Sequence, residues 1–213
     1  MIPNRPFRPA PRTARDKLLE AGVKLVRSRG FAGTSVDQLC GEAGVTKGAF
    51  FHHFASKESL GVALADYWST STGAFFADAP YHHLSDPVQR VLGYIDLRIA
   101  LIGGPAESFC CVAGTMVQET FLTSQPIRAA CATSISANAQ ALDADLAAAL
   151  AQSGRDDVTA SSLGRYIQAV LQGAFVLAKA RSDVDAAGTA RDQLYHLRRY
   201  LELLFSEGIA HAA

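Results

Sequence analysis

Four cysteines in 213 residues, Cys40, Cys110, Cys111 and Cys131, are too few and too irregularly spaced for a metal box or a disulfide framework. Cys110 and Cys111 are adjacent and so are poor partners for each other; reduced thiols are the expectation. No phosphate loop and no metal-ligand spacing occurs, so neither a metal nor a cofactor is expected. Long apolar runs are also missing. The uncharged stretch from Tyr166 to Ala178 is 13 residues, too short for a bilayer. The first residues, MIPNRPFRPAPR, carry prolines and arginines in place of an apolar signal core. These absences predict a cytoplasmic protein with no membrane contact.

What is present is an apolar, charge-balanced chain: 49% of its residues are hydrophobic, enough for a substantial core. The net charge of zero conceals an asymmetry. Residues 1–60 hold ten Lys and Arg against five Asp and Glu, a net +5, while residues 61–213 hold ten against fifteen, a net −5. An N-terminal third with surplus positive charge suits a polyanionic partner.

The stretch TSVDQLCGEAGVTKGAFFHHFASK, residues 34–57, organises the rest. Thr34 with Asp37 reads as a capping box, and Val36, Leu39, Cys40 and Ala43 recur at helical spacing until Gly44 stops the helix. Two residues later Thr46 starts a second short helix with Phe50 and Phe54 on one face. Two short helices joined by a glycine turn are a helix-turn-helix. The first turn of the second helix carries Thr46, Lys47, Gly48 and Ala49: a hydroxyl and an ammonium for phosphate, and two small side chains that let the backbone approach base edges. His52 and His53 follow one turn on, and Lys57, beyond the Ser56 cap, is placed for a flanking phosphate.

The run from Thr13 to Leu60, about a quarter of the chain, resembles the N-terminal DNA-binding domain of the TetR/AcrR family of transcriptional regulators. The match covers LLEAGVKLVRSRGF, TSVDQLCGEAGV and TKGAFFHHFASKESL in register. The resemblance implies DNA contacts from Thr34, Thr46, Lys47, Gly48, Ala49, Phe51, His52, His53 and Lys57. Phe51 stands where the family usually has a tyrosine whose hydroxyl meets a phosphate, so that contact is expected to be missing.

Along the chain, residues 1–12 read as a disordered basic arm, because four prolines forbid helix. Residues 13–58 form the helix-turn-helix domain, its first helix capped by Thr13 with Asp16 and ended by Gly30. Residues 59–213 form a larger helical domain for effector binding and dimerisation. A long helix from Ser56 to about Phe76 links the two, and Ser85, Asp86 and Pro87 start the next. Cys111 to Leu122 reads as a helix, and an alanine-rich segment from Ile127 to Ala151 as one long helix. The fold class is all-α, with about nine helices in total.

The last two helices carry seams with alternating spacings of four and three: Leu163, Ile167, Val170, Ala174 and Leu177, then Ala190, Leu194, Leu197, Leu201 and Leu204. Each is fit for a partner helix, and two from each of two chains make a four-helix bundle. The family resemblance implies the same symmetric homodimer, with Ile167, Val170, Ala174, Leu177, Leu194, Leu197, Leu201 and Leu204 at its interface. Two recognition helices then face a palindromic operator in double-stranded DNA.

The body between Leu60 and Val158 is apolar and poor in polar constellations, which suits a small-molecule cavity better than a catalytic centre. Its distinctive segment, FCCVAGTMVQET, is similar to the Gly-Cys-Leu-x-Gly-x-x-x-Gln-Glu pattern of a branch of TetR regulators, some responsive to electrophiles or oxidants. Cys111, Gly114, Gln118 and Glu119 match it, and Cys110 replaces the first glycine. A helix N-terminus favours thiolate over thiol, so Cys110 and Cys111, with Gln118 and Glu119, are the effector or sensor residues to test; small core residues are the competing reading. The function expected is a repressor released by a small effector or by an electrophile acting on a cysteine. No catalytic residue is assigned. The alternatives are an enzyme with Cys110 or Cys111 as nucleophile and His82 or His83 as base, and a helical scaffold that never contacts DNA.

Overall fold

In the computed structural model, which describes residues 12–206, every helix predicted from capping residues begins within a residue or two of its signal. The arm expected over residues 1–12 lies, apart from Arg12, outside the described residues. Helix α1 (Ala14–Arg29) opens on a complete capping box: Thr13 Oγ1 accepts the Asp16 N–H at 3.1 Å and the Asp16 carboxylate accepts the Thr13 N–H. The Thr13 hydroxyl holds the Asp16 carboxyl below the usual carboxylate range. Gly30 ends the helix at φ +80, a conformation that only glycine takes without strain.

Helix α2 (Val36–Ala43) starts one residue later than expected, because its box is Ser35 with Gln38 and not Thr34 with Asp37. The Thr34 hydroxyl is already engaged: it donates to Gly30 O at 2.7 Å and closes the turn leaving α1. Gly44 takes the left-handed conformation that stops α2, and Thr46 caps α3 (Lys47–His53). Ser56 and Ser59 then box the start of α4 (Lys57–Ala77).

A short 3-10 turn (Pro80–His83) leads into α5 (Pro87–Ala100), with Asp86 as cap and Pro87 in the first turn. A second (Ala106–Ser108) precedes α6 (Val112–Thr120). The alanine-rich segment is two helices and not one: α7 (Gln125–Gln140) and α8 (Asp143–Gln152) meet at a corner over Ala141 and Leu142. The corner sinks Leu142 and Leu146 into the interior, while Asp145 takes the Arg90 guanidinium at 2.6 Å and fastens α8 to α5. A straight helix could not turn that face inward. The chain ends in an antiparallel pair, α9 (Ala160–Ala180) and α10 (Ala186–Phe205), bringing the described residues to ten α-helices with no strand among them.

Leu18, Leu39, Phe50 and Leu64 fill the space between α1 and α4, and this core runs on without interruption into Val112 and Met116 of α6 and Ile127 of α7. A larger interior lies among α5, α8, α9 and α10. Burying each such aliphatic or aromatic side chain is worth roughly 1.5–3 kcal/mol, so the shared core ties α6 to the N-terminal helices. No helix among the described residues is long and apolar enough to cross a membrane.

The expected dimer seam needs correction. Ile167, Ala174, Leu194, Leu197, Leu201 and Leu204 are buried in the subunit's own interior, out of a second chain's reach. Val170 is half-buried, and of the eight only Leu177 faces outward. The seam spacing identifies a face that something covers; here α9 and α10 cover each other, with α5, α7 and α8 completing the cover.

Candidate nucleic-acid interface and ligand cavity

The outer end of the N-terminal domain is formed by α2 and α3, held by Leu39, Cys40, Phe50 and Phe54 turned inward. That packing leaves Thr46, Lys47, Gly48, Phe51, His52 and His53 exposed on one face, with Ala49 half-buried beside them. Lys47 pairs with Asp37 across the turn at 2.7 Å with both groups in solvent, and the hydrogen bond to Asp37 raises the lysine's pKa. A Cβ on Gly48 would meet only Thr46 Oγ1, at 3.7 Å, so nothing inside the subunit requires glycine there. Phe51 is exposed with its ring edge-on to Phe50, an aromatic face without a hydroxyl.

Two predicted contact residues sit differently. Thr34 is 2% exposed and committed to Gly30, so it is a turn residue without access to DNA. Lys57 is half-buried: its ammonium lies 4.6 Å from the Phe31 ring centroid and donates to Ala32 O at 3.3 Å, and burial lowers its pKa. To touch a phosphate it must first leave that face.

In the larger domain, α4, α5, α7 and α9 surround adjoining lobes of about 280, 220 and 30 Å³. Trp68, Phe109 and Phe175 supply apolar wall, and Arg98, Asn138 and Gln168 supply polar groups. Only Cys111, of the four residues predicted as sensors, lines this space. It caps α6, its sulfur accepting the Gly114 N–H at 3.3 Å. Cys110 points away into the interior, donating to Phe175 O at 3.7 Å, and burial pushes its pKa up to about 11. A thiol so held is a poor nucleophile at neutral pH. Gln118 is exposed and bonds back to Gly114 O at 2.8 Å, away from the cavity. Glu119 is also outside it: its carboxylate accepts the Ala32 N–H at 2.7 Å and lies against Gly30. One end of α6 therefore borders the cavity while the other holds the turn between α1 and α2. Ser124, the cap of α7, donates to Glu58 in the first turn of α4 at 2.6 Å and ties the start of that linking helix to the larger domain. Among the described residues no hydrogen bond joins a cysteine to a histidine; His82 is engaged with Phe76 O at 3.0 Å.

Sequence reasoning missed the cavity's polar residues. Arg98 was the findable one, a lone charge inside the apolar stripe Val91, Leu92, Ile95, Ile99 of α5.

A three-helix head with an exposed recognition helix, mounted on a helical body that encloses a cavity, defines a helix-turn-helix regulator. Residues 18–64 match the family described as bacterial regulatory proteins, tetR family. Residues 87–193 match the LmrA/YxaF-like transcriptional regulator C-terminal domain. The chain belongs to the tetR family and is a DNA-binding transcriptional regulator, with a C-terminal domain of that type. It is 24% identical over 171 residues to the uncharacterized regulator YxaF of Bacillus subtilis, covering 80% of this chain and 87% of the relative. It is similar to the Escherichia coli repressor NemR over a shorter stretch, 44% identical across 52 residues, 24% of this chain and 26% of that one. The reduced form of E. coli NemR has the same fold, with a TM-score of 0.74 at 22% identity, covering 87% of this chain and 95% of that one.

Proposed function

We propose that the protein is a cytoplasmic homodimeric repressor whose two α3 helices read a palindromic operator and whose cavity takes the effector that releases it. Thr46, Lys47, Gly48, Ala49, Phe51, His52 and His53 are the groove-facing set, supported by their common exposure on one face. The relative NemR is named a repressor, which favours that direction of control. The second subunit docks on the outward face of the last two helices, where Tyr166, Val176, Leu177, Tyr200 and Leu203 are large apolar groups left in solvent.

The observation that carries the reading is the path of α6, from Cys111 at the cavity to Glu119 on the turn that sets α2. A ligand that displaces the start of α6 moves its other end, because the helix is packed too tightly to bend in place. Cys111 gives an electrophile the same lever. The test is to treat the operator-bound dimer with a small maleimide and follow release. Release that disappears in Cys111→Ser and persists in Cys110→Ser supports a thiol route. Release surviving both substitutions, or none at all, rejects it and leaves the reversible ligand.

A further inference from the structure

Among the described residues, two arginines and no Asp or Glu line the cavity. Arg98, on α5, lies over an aromatic pair, its guanidinium carbon 3.9 Å from the Phe76 ring centroid and 5.0 Å from that of Tyr94. It donates Nε–H to Tyr94 Oη at 2.9 Å and Nη2–H to Asn138 Oδ1 at 3.3 Å, both neutral acceptors; its Nη1 has no partner among the described residues. Arg27, on α1, lies 5.4 Å from the Trp68 ring centroid across the mouth, with its Nε buried and unpartnered. Burial depresses the Arg27 pKa; Arg27 makes no salt bridge among the described residues, and the carboxylates near it, Glu107 and Glu119, line a separate outer pocket and not this cavity. Gln168, 6% exposed, lines the inner lobe with its Nε2 unsatisfied.

Buried polar hydrogens without acceptors are costly, and a half-buried guanidinium held only by neutral acceptors, as Arg98 is, more so, unless an anion completes it. The aromatic walls ask for an apolar body behind that anion. Resting on the reading of this cavity as the effector site, we infer that the effector is a small organic carboxylate with an apolar, ring-sized body. Its head group lies between Arg98 and Arg27 in the lobe that both line, and its body lies against Trp68, Phe109 and Phe175. A planar guanidinium matches a carboxylate with two parallel hydrogen bonds, which neither an amine nor a neutral amide reproduces. Because Arg27 belongs to α1 and Arg98 to α5, the same head group links the DNA-binding helices to the body of the larger domain. Binding energy is thereby spent on their relative position.

Trp68 is the single tryptophan of the chain, so its fluorescence reports occupancy of this cavity directly. The probes are 3-phenylpropanoate and its neutral isostere 3-phenylpropanamide, titrated into the full-length protein at fixed salt and pH, with operator release followed in parallel. The carboxylate is expected to bind about tenfold tighter than the amide or more. Arg98→Gln should erase that preference, and Arg98→Lys, which keeps the charge, should retain part of it; thermal unfolding of each variant checks that it folds. Equal binding of acid and amide, tighter binding of the amide, or no quenching by the acid up to its solubility limit overturns the inference. Amide that binds and releases operator as well as the acid overturns it while leaving the effector reading intact. Selective binding of the acid without operator release keeps the anion site and rejects the effector reading.

Discussion

Replacing Glu119 with alanine should separate the cavity from the DNA-binding helices with little damage to either. The carboxylate accepts the Ala32 N–H at 2.7 Å and lies where a side chain on Gly30 would be, 2.1 Å from an ideal Cβ. A charge-assisted hydrogen bond is worth about 1.5–3 kcal/mol when sheltered, and Glu119 is exposed, so the loss should be nearer 1 kcal/mol. For a chain of this size that lowers Tm by about 2–4 °C. Gly30→Ala does two things at once: it forces a Cβ into φ +80, ψ 165, costing about 1–3 kcal/mol, and it evicts the Glu119 carboxylate. In a Glu119→Ala background only the backbone strain remains. Calorimetry of the two single variants and the double should therefore give non-additive losses, coupled by about 1 kcal/mol. Operator release by effector should weaken in both singles. Strict additivity, or an unchanged Tm in Glu119→Ala, would refute the contact as a tie between α6 and the head.

Gly48→Leu should fold normally, since nothing within the subunit crowds its Cβ, yet lose specific operator binding in a gel shift; undiminished affinity would remove α3 from the groove. Lys47→Ala should weaken all duplexes alike and flatten the dependence of log K on log salt by about one unit. Leu203→Glu, on the exposed face, should give a folded monomer by sedimentation with weak half-site binding, whereas Leu201→Glu, 0% exposed, should unfold the subunit by burying an unpaired charge. Alkylation at neutral pH followed by mass spectrometry should modify Cys111 before Cys110 and Cys131, because burial pushes the latter two up to about 11 and about 12 and keeps them as thiols. Modification of Cys110 first would contradict its placement.

The helix starts were legible because capping is local: Thr13, Thr46, Ser56 and Asp86 are recognisable from a few neighbouring residues. Where two hydroxyls compete side by side, as Thr34 and Ser35 do, a contact back to Gly30 decided the boundary, and that contact is tertiary. The corner between α7 and α8 has no glycine or proline to announce it and is made by Leu142 and Asp145 finding α5. The seams of α9 and α10 point by their spacing to a dimer interface, yet six of the eight residues assigned to it lie in the subunit's own core, because periodicity marks a covered face without saying what covers it. The cavity was the least legible part, since Arg27, Trp68, Arg98 and Gln168 come from four helices and meet only in the folded subunit.

The most direct test of the central claim, a dimer reading DNA through α3, is selection of bound duplexes from a library of genomic fragments, followed by footprinting of the best one. The proposed dimer should protect a shared palindrome over two half-sites whose centres lie about 34–36 Å apart, or a multiple of that, and should lose it with Gly48→Leu. Recovery of no duplex, or of duplexes without a common sequence, would contradict it.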